Sequence, residues 1–216
     1  MEIGKSVWKK AISINSLILL FILTCFMQDQ SSVPRDGALA VSEQILDSFA
    51  HLDPARFEEG DLILRRGSST VSGFIARGLP GSREMSHCGI LTANGGSWQV
   101  VHSISGKLSD LDGIRIDSLQ DFLRQAQPGK AVHIKPRFSI DRHAISENAH
   151  KYLRRRIPFD HDFDLEDNNR MYCSELIRQV YLDSGADDVF SYYQVGLRRM
   201  VSFAAFFDGQ HWQSSY

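Results

Sequence analysis

Cysteine is scarce in this chain: there are three in 216 residues, and after Cys25 only Cys88 and Cys173 remain. Two thiols are too few to staple a small scaffold, so apolar packing must carry the core, with a single Cys88 to Cys173 bridge as the one covalent option. A dominant charge is lacking too, since 24 Lys and Arg face 26 Asp and Glu. Without a basic stripe, nucleic acid is not an expected partner. The runs Arg154-Arg155-Arg156 and Arg198-Arg199 read as solvated faces, or as weak attraction to an anionic envelope surface. There is no repeat, no low-complexity segment, and no HExxH or CxxC spacing that would mark a zinc centre.

One long apolar run is present, Leu17 to Leu23, preceded by Lys5, Lys9 and Lys10. This is a secretory signal pattern, so residues 1–30 are expected to be a signal peptide or a membrane or lipid anchor. Cys25 is the residue a lipoprotein signal would modify, an uncleaved anchor is the second option, and the polar stretch Gln28 to Ser32 offers a cleavage exit. In each case the folded part is expected outside the cytoplasm, in the periplasm or held at the membrane.

Beyond that segment the chain is one domain's worth of sequence. Residues 31–56 carry a lead-in helix, with helical spacing from Ala38 to Leu52, and 57–216 form the main domain. The reading continues with a strand at Gly60 to Leu64, a short helix from Thr70 to Arg77 and two strands, Ser86 to Ala93 and Ser97 to Ile104. Asp117 is read as the cap of a helix through Ala126, followed by a strand over 131–135 closed by Pro136. Helices are expected from about Ser139 to Arg156 and from Cys173 to Gly185. The composition is α+β with a mostly antiparallel sheet. The last stretch, Ser184 to Tyr216, is too aromatic for a solvated tail and is expected to pack as an added lid.

Chemistry concentrates at Cys173, which opens a helix, and at His87, at the start of a strand. A helix N-terminus supplies partial positive charge and free N–H groups that lower a thiol pKa and can hold an oxyanion, and an imidazole within reach supplies the base. The intervening hairpin places a second histidine. If Asn94-Gly95 is the turn, His87 and His102 are direct cross-strand partners; if Gly95-Gly96 is the turn, His102 faces Gly89 but stays on the same face as His87. The same period of two sends Cys88 to the opposite face, as an inert core thiol. His102 is then placed to orient the base.

Two other clusters carry less. Asp160, Asp162 and Asp164 alternate like the start of a calcium loop, but Leu165 stands where glycine is needed and Met171 where glutamate is needed. His87, His102 and Cys173 offer zinc-type donors without a zinc spacing. No cofactor and no metal is expected.

Gly60-Asp61, Ser86-His87-Cys88-Gly89-Ile90, His102 after a hairpin, Pro158-Phe159-Asp160 and Tyr172-Cys173-Ser174-Glu175-Leu176 together resemble the permuted papain-like cysteine hydrolases of the YiiX/YebB type. These are relatives of NlpC-type envelope peptidases and of lecithin:retinol acyltransferases. The similarity covers roughly Phe57 to Gly185, with histidine before cysteine as in the permuted group. It implies a permuted papain-like fold, Cys173 as nucleophile, His87 as base and His102 at the third polar position, where many members carry glutamate. Tyr172 and Asp61 are implied as residues lining the substrate or oxyanion region. The implied function is a thiol hydrolase acting on amide, or ester, bonds of cell-envelope peptide, small-molecule or lipid-linked substrates. Two rivals stay open: an acyltransferase using the same thioester chemistry, and a non-catalytic binding module with Cys173 buried or bridged.

Overall fold

In the computed structural model, which describes residues 48–106, 111–196 and 198–215, the apolar runs become β1 (Leu62–Gly67), β2 (His87–Asn94) and β3 (Ser97–Ile104). They are joined by β4 (Gly113–Ser118), β5 (Ala126–Pro136), a ribbon of β6 (Tyr192–Val195) and β7 (Arg198–Val201), and β8 (Trp212–Ser215). The helices are α1 (Thr70–Gly78), α2 (Leu119–Arg124), α3 (Arg142–Arg154) and α4 (Cys173–Asp183). The N-terminal segment 1–30 and most of the lead-in helix expected over 38–52 lie outside the described residues. Among the described residues no helix is long and apolar enough to cross a membrane.

Six strands form one sheet in the order β4-β3-β2-β1-β5-β8, every neighbour antiparallel, with β6-β7 as a separate ribbon. The fold is α+β, and its two faces are buried for different reasons. Leu62, Leu64, Cys88, Ile90 and Val101 point to one side and pack with Ile145 of α3 and Leu176, Ile177 and Val180 of α4 in the larger core. Ile63, Leu91 and Val100, one residue out of phase, point to the other side against Phe122 of α2, Phe49 and Phe57.

The hairpin turns on Gly95-Gly96, both with positive φ (56° and 83°), the geometry a two-residue turn needs to match strand twist. Asn94 pairs with Ser97 and Ile90 with Val101, a register that sets His102 opposite Gly89. Asp117 does not cap a helix. It lies in β4, opposite Val100, and α2 is capped by Ser118, whose hydroxyl accepts from the Asp121 N–H at 3.0 Å. The alternation Ile114, Arg115, Ile116, Asp117 is the strand signal that the nearby helix obscured.

The C-terminal segment divides between core and site. Trp212 is buried among Tyr181, Phe190 and Phe206, with ring centroids 5.3 to 5.8 Å apart. The β6-β7 ribbon instead reaches the N-terminal end of α4.

Candidate active site

Cys173 is the first residue of α4, and the chain leading into it is held from several sides. Ser103 Oγ donates to the Met171 carbonyl at 2.5 Å, and the Met171 N–H donates to the Pro158 carbonyl at 3.1 Å. Tyr172 is buried, its N–H donates to Glu175 Oε2 at 3.2 Å, and its hydroxyl accepts from the Val201 N–H at 2.9 Å. The thiol therefore sits on a rigid helix start, where free N–H groups and the helix dipole favour negative charge.

Cys88 lies beside the Cys173 sulfur on the sheet under the helix. That contact, supported by the N–H groups of Cys88, Ser174 and Cys173 itself, holds the Cys173 thiol below its ordinary pKa against the opposing effect of burial. Burial and the same contact push Cys88 well up. Cys173 is thus the thiol suited to form a thiolate, and Cys88, fully buried in the larger core, stays protonated beside it.

His87 begins β2, and its ring belongs to a chain of hydrogen bonds. His87 Nε2 lies 2.9 Å from His102 Nδ1, and His102 Nε2 lies 3.0 Å from Asp117 Oδ2. Arg115 closes the chain, its Nε 2.8 Å from Asp117 Oδ1. An ionised carboxylate only accepts, so His102 carries its hydrogen on Nε2 and accepts at Nδ1. His87 then donates from Nε2, which leaves its Nδ1 lone pair free to take a proton. Although burial opposes it, His102 and Arg115 keep Asp117 below the usual carboxylate range. Burial lowers His102, against the pull of Asp117. His87 is driven well below the ordinary histidine value by burial first, then by Arg65 and His102. Both imidazoles are neutral near pH 7.

Arg65 is the cross-strand partner of His87 on β1. It is 3 % exposed, lies 4.5 Å over the Phe122 ring that His87 also stacks on, and donates from Nη2 to Gln125 Oε1 at 3.0 Å. Its Nε and Nη1 have no partner, and burial lowers its pKa to about 10. An under-paired buried cation beside an imidazole favours the neutral ring.

His87 and Cys173 line one cavity at the end of the sheet, together with Ser103, Tyr172 and residues of α1 and the β6-β7 ribbon. No hydrogen bond joins the two in this state. Such contacts often tighten only when a substrate is bound. Asp61, implied as a lining residue, does not reach this cavity. It is fully buried elsewhere, 2.7 Å from both His133 Nε2 and Arg142 Nη1, so its place is in a structural ion cluster. Asp160 folds its own loop, accepting from the Asp162 and Asp164 N–H groups. Asp117 and Arg65 are the members that sequence reading missed. The Arg115/Asp117 alternation carried a signal for the first, and nothing in the chain marked the second.

A six-stranded antiparallel sheet bearing the histidine on an early strand, with a later helix opening on cysteine, defines the permuted papain-like class. Residues 56–206 match the family of permuted papain-like amidase enzymes, YaeF/YiiX, and the chain belongs to that family. It is accordingly an amidase or peptidase-like enzyme in broad class. Among solved structures, the crystal structure of metalloprotein yiiX from Escherichia coli aligns with a TM-score of 0.59 and 19% identity, covering 74% of this chain and 96% of that one. The likeness is one of fold. In the present chain, among the described residues, no three His, Cys, Asp or Glu side chains are placed together to hold a metal ion. No curated protein matches the sequence.

Proposed function

We propose that the protein is an exported or membrane-held cysteine hydrolase that cleaves amide, and by the same chemistry ester, bonds of cell-envelope compounds through an acyl-enzyme. The observation that carries this reading is the chain Asp117, His102, His87, which occupies His87 Nε2 and leaves Nδ1 as the basic nitrogen of a residue that lines one cavity with Cys173. In the acylation step His87 Nδ1 takes the Cys173 proton and the sulfur attacks the carbonyl carbon. The Cys173 N–H at the helix start helps hold the oxyanion. The C–N bond then breaks, and the proton passes from His87 to the leaving amine. Water, deprotonated by the same nitrogen, attacks the thioester and releases the acid and the thiol. His102 and Asp117 orient His87 and steady its cationic form, a task for which a neutral histidine alone is weaker than a histidine backed by a carboxylate.

The test is the pH dependence of iodoacetamide alkylation at Cys173, mapped by peptide mass on the full-length protein beside its His87→Ala variant. A free thiol titrates near roughly 8.5. Labelling of Cys173 well below that value, slowed in His87→Ala, is the expected result. The contact between Cys88 and Cys173 is the one observation favouring a second reading, a bridged and non-catalytic module. A Cys88 to Cys173 disulfide in the map, with no alkylation, would establish that reading instead.

A further inference from the structure

An acyl-enzyme route needs preorganised donors where the oxyanion forms, and the Cys173 N–H supplies one. None of the residues lining the cavity is Asp, Glu, Lys or Arg, so no ammonium or guanidinium stands there to meet the charge. Most of the hydroxyls in the lining are already engaged. Ser103 Oγ donates to the Met171 carbonyl and Ser174 Oγ to the Val201 carbonyl, while Ser86 Oγ and the Tyr172 hydroxyl are held by the Gly67 and Val201 N–H groups. The β6-β7 ribbon brings one that is not. Alternation along β6 turns Tyr192 and Tyr193 to opposite faces. The Tyr192 hydroxyl donates to Asp188 Oδ1 at 2.7 Å and accepts from Arg178 Nε at 2.6 Å. Tyr193 lines the cavity instead, as do Val195, two residues on, and Met200, its partner on β7. Val201, next to Met200, is bonded to the residues on both sides of the nucleophile, Tyr172 and Ser174, so the ribbon is registered on the turn that opens α4. Among the described residues the Tyr193 hydroxyl has no hydrogen-bond partner. Burial first, then the charge of a Cys173 thiolate, holds it well above the ordinary tyrosine value, so it keeps its proton and can donate.

Resting on the proposed hydrolase reading, we infer that Tyr193 is a further catalytic residue, whose hydroxyl donates a hydrogen bond to the oxyanion formed at Cys173. As the Cys173 sulfur bonds to the carbonyl carbon, the π pair of the C=O bond moves onto oxygen, and that oxygen lies between the Cys173 N–H and the Tyr193 O–H. Tyr193 keeps its proton throughout. When the C=O bond re-forms, the bond to the leaving group breaks and the hydroxyl is unchanged. The ribbon that follows the nucleophile in sequence thereby completes the site that α4 begins.

The experiment compares two reactions of the same sulfur in the full chain and in its Tyr193→Phe and Tyr192→Phe variants. Acylation of Cys173 by 4-nitrophenyl acetate passes through a tetrahedral oxyanion and releases 4-nitrophenolate. Alkylation by iodoacetamide displaces iodide at a saturated carbon and forms no oxyanion. Tyr193→Phe keeps the ring and gives up no hydrogen bond of the folded state, so it should slow acylation roughly 100-fold while alkylation of Cys173 proceeds at the wild-type rate. Tyr192→Phe, which removes a hydroxyl from the opposite face of the same ribbon, should leave both rates unchanged. Acylation of Tyr193→Phe at the wild-type rate would overturn the inference and leave the hydrolase reading standing. Equal slowing of both reactions, or equal slowing of acylation by Tyr192→Phe, would overturn it as well, by assigning the effect to the thiolate or to the packing of the ribbon. If wild-type Cys173 is neither acylated nor alkylated, the hydrolase reading fails and the inference falls with it.

Discussion

His87 Nε2 and His102 Nδ1 lie 2.9 Å apart although the two residues are not cross-strand partners. Extending the register of Ile90 with Val101 sets His102 opposite Gly89 on β2, and His102 pairs with Arg115 on β4. Its ring contacts are therefore diagonal on both sides, to His87 two residues from Gly89 and to Asp117 two residues from Arg115. The same offset on three adjacent strands draws base, orienter and carboxylate into one line across the sheet.

Cys173→Ala and His87→Ala are each expected to abolish amide turnover while leaving far-UV circular dichroism unchanged, because one removes the nucleophile and the other the free base nitrogen. Normal turnover by the Cys173→Ala protein would sink the mechanism.

Asp117→Asn keeps an acceptor near His102 Nε2 but removes the charge that steadies the chain. We expect kcat to fall roughly 10- to 100-fold with KM little changed, and His102→Ala to retain partial activity. If both variants are silent, the machinery reduces to Cys173 and His87 alone.

Arg65 lowers the His87 pKa by charge, after burial has done so more strongly. Activity needs neutral His87, so the acid limb of the kcat/KM profile should lie below the ordinary histidine value of 6.5. In Arg65→Gln the cation is gone, His87 holds its proton more tightly, and that limb should move to higher pH. An unmoved limb would show that Arg65 acts only in packing against Phe122.

Gly89→Ala tests the diagonal line directly. A Cβ at this position would press on Val100 Cγ1 and stand 3.0 Å from the Val101 carbonyl and 3.1 Å from His102 Cβ. The strands must part or His102 must shift, so the variant should lose both thermal stability and turnover. Wild-type kcat in this variant would mean that the histidine pair tolerates displacement.

Glu175 is buried, its Oε1 has no partner, and burial raises its pKa to about 8. Its folded value exceeds the ordinary 4.5, so the folded state binds the extra proton, and stability from this group is full below pH 4.5 and lost as pH rises toward 8. Glu175→Gln imitates the protonated acid and should raise Tm by a few degrees at pH 8 and above but hardly at pH 4.5. His87 and His102, whose values are lowered, act in the opposite sense, withdrawing stability as pH falls below 6.5. An equal Tm gain at every pH would show that Glu175 is ionised throughout.

Local pattern was enough to mark strands at Gly60 to Leu64, Ser86 to Ala93 and Ser97 to Ile104, each within a few residues of β1, β2 and β3, the helix that starts at Cys173, and the shared face of His87 and His102. Those features depend on periods of two and 3.6, on turn glycines and on residue type, all of which are short-range. The register was left between two turns because both obey the same alternation, and only the assembled sheet selects Gly95-Gly96. Asp117, Arg65 and the Cys88 contact to Cys173 could be settled only in three dimensions. Each is a meeting of residues distant in sequence, made by strand order or by a helix packing on a sheet, and no local period encodes that. The cavity is likewise a tertiary product, since α1, the loop before α4 and the C-terminal ribbon each supply one wall, and its lack of charge appears only where they converge.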